Sequence, residues 1–133
     1  MDSNENHVKF TPEQNAAISY RDGSLLVSSA AGSGKTMVIV ERLIKYIDEG
    51  FDIDDFLIIT YSRAAAIELR EKILEKLYEC LTISPNNKRY RRQLTLIRGA
   101  NIDTIHAFCI SVLRENAHLV GLPLDFRVAD ESE

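Results

Sequence analysis

The sequence predicts an α/β fold in which a parallel sheet is flanked by helices. A glycine-rich stretch at 28–36, SSAAGSGKT, lies between a short apolar run and an amphipathic segment. The stretch at 56–60, FLIIT, is apolar and of strand length, which is typical of a parallel-sheet strand buried on both faces. Segments of strand type alternate with segments of helical period along the chain, and this alternation favours parallel strands joined through helices.

The predicted helices and strands follow one another along the whole chain. The first helix is expected at 12–20, because Thr11 is a suitable N-cap and Pro12 is favourable in a first helical turn. The first strand is expected at 24–28. The later elements are expected in this order: a helix at 35–49 ended by Gly50, a strand at 56–60, a helix at 63–81, a basic helix to about residue 98, a short strand at 102–103, and a last helix from residue 104 or 106 to 119.

Apolar residues at helical spacing predict which helix faces point to the core. They are Ala16, Ala17 and Ile18 in the first helix, Val38, Ile39, Leu43, Ile44 and Ile47 in the second, Ile67, Ile73, Leu74 and Leu77 in the third, and Phe108, Cys109, Val112 and Leu113 in the last. This is enough apolar material for the modest core of one domain. We expect that domain at 10–123, between a tail at 1–9 and a truncated connection at 124–133.

Composition narrows the class of protein. Of 133 residues, 45% are hydrophobic and 27% are charged, as in an ordinary globular domain. We expect neither a secretory signal nor a membrane span, since no apolar run has the required length. Cys80 and Cys109 lack the spacing of metal ligands or of a redox motif. Reduced thiols and a cytoplasmic location are therefore expected.

The charge distribution leaves two interpretations of one basic segment. The net charge of −4 argues against a chain that coats nucleic acid indiscriminately. Residues 86–98 nevertheless contain five basic side chains, no acidic one, and Tyr90. Such a run can attract phosphates, or it can be a solvated helix face. Both interpretations stay open at this stage.

The stretch at 28–36 has the chemistry of a phosphate-binding loop. Gly32 and Gly34 allow backbone N–H groups to turn inward around phosphate oxygens, and the following helix directs its positive end at the same anion. Lys35 is placed to reach the terminal phosphates, and the Thr36 hydroxyl to ligate Mg²⁺. Ser29 stands where such loops usually have a first glycine. The alternative is a glycine- and serine-rich turn that happens to end in Lys-Thr.

Several segments resemble one known family in the correct order. They are FTPEQNAAI at 10–18, the phosphate loop, TYSRAAA at 60–66 followed by ELR at 68–70, DTIHAFC at 103–109, and FRVADESE at 126–133. Together they resemble the N-terminal part of the first RecA-like domain of UvrD/Rep/PcrA-type superfamily 1 DNA helicases. Within that family the segments are most similar to the AddA/RexA branch of helicase–nuclease proteins. The resemblance implies a partial RecA-like domain, ATP and Mg²⁺ as ligands, DNA unwinding in double-strand break repair and recombination, and, as partner, a second helicase–nuclease subunit.

The resemblance also implies roles for individual residues. Gln14 is expected to recognise adenine, since an amide both donates and accepts; without the resemblance it reads as a surface glutamine. The nucleotide is expected at Gln14, Ala31, Gly32, Ser33, Gly34, Lys35 and Thr36, with Lys35 and Thr36 serving catalysis and Thr36 the metal ion. Single-stranded DNA is expected at Thr60, Tyr61, Ser62, Arg63, Thr104 and His106.

Three of these positions depart from the family pattern or have a second interpretation. Tyr61 stands where the family has Phe and can still stack a base, but it can also lie in the core. Arg63 stands where Asn is common, so a charged contact replaces an amide one. His106 contacts DNA or is a satisfied residue at a helix start.

One part of the catalytic apparatus is missing from the sequence. Hydrolysis of ATP requires an aspartate for Mg²⁺ and a glutamate that orients water, placed after a further strand. The late acidic cluster at 130–133 does not follow an apolar strand. We therefore expect a fragment of a large helicase that binds nucleotide without hydrolysing it. A non-catalytic nucleotide-binding adaptor stays open as an alternative, and a small P-loop phosphotransferase is a weaker one.

Overall fold

The computed structural model describes residues 9–28, 30, 32, 34–123 and 125–129. Its elements, in chain order, are α1 (Pro12–Ser19), α2 (Lys35–Glu49), a 3-10 turn (Ile53–Asp55), β1 (Leu57–Thr60), α3 (Arg63–Ile83), α4 (Lys88–Leu96), β2 (Asn101–Thr104), α5 (Ile105–Glu115) and a second 3-10 turn (Ala117–Leu119). Across this described part of the chain, no helix combines the length and the apolar character needed to cross a bilayer.

The two strands form a parallel sheet, as the sequence predicts. Leu57 lies opposite Asn101 and Thr60 opposite Thr104, so the carboxyl ends of both strands meet at one edge. The chain passes from β1 to β2 through α3 and α4. The mixed α/β class is therefore confirmed.

A hydrophobic core lies between the sheet and the helices α2, α3 and α4. Its fully buried members come from five elements or their flanks: Ile47, Ile53, Ile73, Leu77, Ile97 and Ile102. Ile73 and Leu77 are four residues apart on α3, and this spacing puts both on one helix face. A smaller cluster of Ala17, Ile18 and Val38 fixes α1 on α2.

The prediction of a strand at 24–28 is wrong. These residues form no strand, and the side chain of Leu26 is 92% exposed. A strand requires a neighbour that accepts and donates its backbone hydrogen bonds. In the described ranges the sheet contains β1 and β2, which pair with each other.

Burial of the apolar segments also differs from the sequence prediction. The segment at 56–60 is not buried on both faces, because Leu57 and Ile59 are exposed while Ile58 packs on the core. The same error affects Ile39 and Ile67, which are exposed, and the last helix. No residue of α5 is buried, and Cys109, Val112 and Leu113 are exposed. Periodicity identifies an apolar face, but only a packing partner buries it.

Helix α4 is fixed to the segment before β1 by a buried glutamine. The Gln93 side chain is fully buried; its Oε1 accepts the Ile53 N–H at 2.8 Å and its Nε2 donates to Asp52 Oδ1 at 2.8 Å. Arg92 Nε donates to the other oxygen of Asp52 at 3.0 Å. The Arg92 guanidinium, and secondarily the Gln93 amide, hold the pKa of Asp52 below its usual value.

These contacts decide between the two interpretations of the basic run. Arg92 is paired with Asp52, Arg91 Nη2 donates to the Pro85 carbonyl at 2.7 Å, and the Tyr90 hydroxyl donates to Asp48 Oδ1 at 2.7 Å. Since α4 packs on the turn that precedes β1, it lies at the amino end of that strand, away from Thr60. The structure favours the interpretation of a solvated helix face with acidic neighbours.

Replacing the buried glutamine is expected to destabilise the protein. In Gln93→Leu the buried N–H of Ile53 loses its acceptor, which should lower the free energy of unfolding by about 1–3 kcal/mol. Urea unfolding followed by circular dichroism measures the change. Thr95→Ala, at an exposed position of the same helix, is the control and should stay within about 0.5 kcal/mol of the parent. Equal stability of both variants would remove Gln93 from the account of how α4 is held.

Candidate nucleotide site and nucleic-acid edge

The glycine-rich loop adopts the backbone conformation that its sequence predicts. Gly32 and Gly34 have φ angles of 79° and 83°, in the left-handed region that glycine enters without steric cost. Ser29, Ala31 and Ser33 lie outside the described residues. The loop therefore turns sharply just before α2 begins.

The N-terminus of α2 differs from those of the other helices. Its N-cap is Gly34, which has no side chain to accept a hydrogen bond from the first-turn amides. The other four α-helices of the described chain are capped by side chains, those of Thr11, Ser62, Asn87 and Thr104. A helix of 15 residues thus presents uncapped N–H groups and its positive dipole end at the loop. Such an end is suited to an anion.

Two functional side chains of α2 stand at this same end. Lys35 is exposed, and its Nζ donates to the Ala30 carbonyl at 3.2 Å, so the ammonium group lies back along the loop. Thr36 follows in the first helical turn and is half-buried. Among the described residues, no group of three or more His, Cys, Asp or Glu side chains is placed to hold a metal ion.

Gln14 lies against the loop, although it is distant in sequence. The N–H of Thr11 donates to Gln14 Oε1 at 2.9 Å, and Thr11 Oγ1 accepts from the Gln14 N–H at 3.2 Å, a reciprocal capping box. This fixes the glutamine side chain, and a Cβ at Gly34 would lie only 3.2 Å from its Nε2. A cleft of about 270 Å³ is lined by both α1 and α2, including Gln14, Val27, Ser28, Lys35 and Val38.

Electrostatics distinguish the two ends of this cleft. Glu13 also lines it, and hydrogen bonds from its own backbone N–H and from the Thr11 hydroxyl lower its pKa. A carboxylate therefore stands at the α1 end, whereas Lys35 and the uncapped amides stand at the α2 end. A bound polyanion is favoured at the α2 end.

Arginine side chains hold α1 in place over α2. Arg42 Nη1 donates to the Ala17 carbonyl, and its Nη2 donates to the Tyr46 hydroxyl at 3.1 Å. Arg21 donates to the Ile18 carbonyl at 2.8 Å and pairs with Glu49 at 2.7 Å. The position of Gln14 against the loop thus depends on contacts made more than two turns away. Nothing in the spacing of the sequence indicated these arginines.

The second group of predicted site residues lies at the carboxyl edge of the sheet. Thr60 and Thr104 are register partners, so the segments that follow them leave the sheet side by side. The Ser62 Oγ accepts the Ala65 N–H and the Thr104 Oγ1 accepts the Ala107 N–H, each at 3.2 Å. Both hydroxyls cap helices, α3 and α5, which start at this edge.

The alternative that Tyr61 lies in the core is wrong. Its side chain is fully exposed, at 103% of the reference area, directly beyond the end of β1. Arg63 and His106 are exposed at the starts of α3 and α5. The edge therefore combines an exposed aromatic ring, an exposed cation and an exposed imidazole around two helix N-termini.

A family model of the UvrD/REP helicase N-terminal domain matches residues 10–133. The chain belongs to this family. Helicase sequences of this type were indicated by the motifs alone, and the match extends over nearly the whole chain.

Curated relatives place this UvrD/REP helicase domain more narrowly. The chain is 47% identical over 128 residues to the A subunit of the ATP-dependent helicase/nuclease of Clostridium perfringens (strain 13 / Type A). It is 47% identical over 129 residues to the protein of that name from Clostridium novyi (strain NT), and 48% identical over 128 residues to that from Thermoanaerobacter sp. (strain X514). These matches cover 94–95% of the chain but 10% of each relative. The chain thus spans about a tenth of their length.

In this UvrD/REP helicase domain, the structure brings the predicted residues together in two groups. Gln14, Gly34 and Lys35 share the cleft of α1 and α2, and Thr60 and Thr104 share the sheet edge. The segment at 130–133 lies outside the described residues. One motif residue had no role assigned from sequence: Arg70, which closes the ELR segment and bonds to three carbonyls.

Proposed function

We propose that the chain is the ATP-binding N-terminal segment of an ATP-dependent DNA helicase, a helicase–nuclease of the AddA type, that acts in double-strand break repair and recombination. The observation that carries the proposal is the cleft in which Gln14 faces a glycine loop and the uncapped start of α2. The name of the relatives supports it. The proposal includes a partial RecA-like domain at 10–123, with residues 1–9 and 124–133 outside it, in a cytoplasmic protein.

The cleft fits a nucleoside triphosphate. The proposed contacts are Gln14 with the adenine and Ala31, Gly32, Ser33, Gly34, Lys35 and Thr36 with the phosphates. Backbone N–H groups at the α2 terminus donate to phosphate oxygens, and Lys35 exchanges its bond to the Ala30 carbonyl for one to the terminal phosphates. Gln14 Oε1 already accepts the Thr11 N–H, so its Nε2 is the group directed toward the loop.

The residues present fit a magnesium ion that arrives with the nucleotide. Mg²⁺ keeps several waters and needs only one or two protein ligands beside phosphate oxygens. The Thr36 hydroxyl is one such ligand, in the first turn of α2. When bound, the ion neutralises charge on the phosphates.

The carboxyl edge of the sheet is the proposed contact with single-stranded DNA. Tyr61 offers a ring for base stacking, and Arg63 offers charge to a phosphate. Ser62 and Thr104 cap their helices, so they act mainly by orienting N–H groups of α3 and α5 toward the backbone of the strand. Thr60 and His106 complete the edge. The second subunit implied by the name of the relatives is part of the proposal.

The 133-residue chain is expected to bind nucleotide without turning it over. Positioning and charge stabilisation supply nearly all of the catalysis in phosphoryl transfer, and the sequence has no Asp-Glu pair directly after a strand. A coupled ATPase assay with and without single-stranded DNA measures turnover. Hydrolysis that disappears in Lys35→Ala would contradict this prediction, because it would require an acidic partner within the chain.

The full-length protein that carries this chain separates a helicase from an adaptor. A helicase shows ATP hydrolysis that single-stranded DNA stimulates, together with strand separation, and both are lost in Lys35→Ala. An adaptor binds nucleotide with no stimulated turnover. Binding without stimulation would therefore overturn the helicase proposal and leave the nucleotide site intact.

A further inference from the structure

Arg70 on α3 makes three hydrogen bonds to main-chain carbonyls of a distant segment. Its Nη1 donates to the Ile97 carbonyl at 2.6 Å, and its Nη2 donates to the carbonyls of Ala100 at 3.4 Å and Ile102 at 3.1 Å. The side chain is half-buried. Within the described part of the chain, none of the ion pairs involves it. Its charge is therefore directed at the backbone between α4 and β2.

This contact satisfies carbonyls that a helix end leaves without partners. Ile97 is the C-cap of α4, and the last carbonyls of a helix have no intrahelical donor. The guanidinium also carries positive charge at the negative end of the α4 dipole. A planar group with several fixed donors suits three acceptors at different angles, whereas an ammonium group does not.

The same contact lies between the two segments of the carboxyl edge. Arg70 is about two turns into the helix that starts at Arg63, directly after Tyr61. Its acceptors extend into β2, which ends at Thr104, where α5 and His106 begin. The ladder between β1 and β2 spans only four residue pairs, and so short a strand pair is weakly held by itself.

We propose that Arg70 is a positioning residue for DNA binding. By tying α3 to the backbone at 97–102, it sets where 104–106 stands relative to 60–64, so that one strand of DNA contacts both segments at once. This inference rests on the proposed function, because it assumes that the carboxyl edge receives DNA. Arg70 itself touches neither the DNA nor the nucleotide in this proposal.

The chain offers a matched control in Arg42. It is likewise half-buried on a helix and donates to a main-chain carbonyl, but that carbonyl belongs to Ala17 on α1, which carries Gln14. A general loss of packing affects both variants alike. A positioning role separates them, since Arg70 should govern the DNA edge and Arg42 the nucleotide cleft.

The experiment compares Arg70→Met, Arg70→Lys and Arg42→Met in the full-length protein. Two constants are measured for each: the KM for ATP, and the concentration of oligo-dT that gives half-maximal stimulation of ATP hydrolysis. In Arg70→Met the DNA constant should rise about tenfold, which is about 1.4 kcal/mol, with the KM for ATP changed less than twofold. Arg70→Lys should lie between this variant and the parent, because lysine retains the charge but not the fork. Arg42→Met should show the reverse split.

Hydrogen exchange of the same variants gives a second, independent measurement. Backbone amides at 101–107 should exchange faster in Arg70→Met and unchanged in Arg42→Met. If the parent is stimulated by DNA but Arg70→Met keeps its DNA constant, or if both constants move together in both variants, the positioning role is overturned. Unchanged exchange at 101–107 overturns it as well. If the parent itself shows no stimulation by DNA, the proposed function fails and the inference fails with it.

Discussion

Lys35→Ala is expected to weaken binding of Mg-ATP by about ten- to a hundredfold. A hydrogen bond to a charged group contributes about 1.5–3 kcal/mol, and the variant removes the ammonium group at the start of α2. In the full-length protein, ATP turnover should fall by about 100- to 1000-fold, as when a donor that stabilises transition-state charge is removed. Isothermal titration with Mg-ATP measures the affinity.

Lys45→Ala is the matched control for this prediction. Lys45 lies on the same helix, ten residues further along, and donates to Ser19 Oγ at 3.3 Å. Its removal changes the net charge by the same amount but leaves the loop unaltered, so binding of Mg-ATP should change less than about twofold, which is less than about 0.5 kcal/mol. Equal heats from the parent and from Lys35→Ala would withdraw Lys35 from the phosphate site.

Tyr61→Ala should weaken the binding of single-stranded DNA by about 1–3 kcal/mol, because it removes a stacking surface. The slope of affinity against salt should stay the same, since no cation is lost and the number of released counterions does not change. Folding stability should also stay the same, because the side chain is fully exposed. Fluorescence anisotropy of a labelled oligonucleotide at several salt concentrations, with the full-length protein, measures both quantities.

Two further variants define what Tyr61 contributes. Tyr61→Trp retains an aromatic face and should bind DNA about as tightly as the parent. Tyr78→Ala removes another exposed tyrosine of the chain, located in α3 four turns from the sheet edge, and should leave DNA affinity unchanged. DNA affinity that is equal in Tyr61→Ala and the parent would remove the stacking role, and a loss that is equal in Tyr61→Ala and Tyr78→Ala would point to a general surface effect.

The structure changes the expectation for the basic run. From sequence alone, neutralising Arg89, Arg91 and Arg92 should lower DNA affinity and flatten its salt dependence. The pairing of Arg92 with Asp52 and the location of α4 at the amino end of β1 now make α4 a support for the fold.

Local features were predictable because each is governed by residues close together in sequence. Thr11 and Pro12 predict the start of α1, and Gly50 predicts the end of α2, where its φ angle is 118°. The glycines of the loop and the amphipathic α2 are local in the same sense. These features depend on φ and ψ preferences and on hydrogen bonds across three or four residues.

What only the tertiary structure decided depends on partners far away in sequence. Arg70 bonds to carbonyls 27–32 residues away, and Gln93 to groups 40 and 41 residues away. Composition or period cannot reveal such partners, because they depend on how α3 and α4 pack. For the same reason the sequence determined that the segment at 24–28 is apolar, but not whether it is a strand. A strand exists only where another strand supplies its hydrogen bonds, and an apolar residue is buried only where another element covers it.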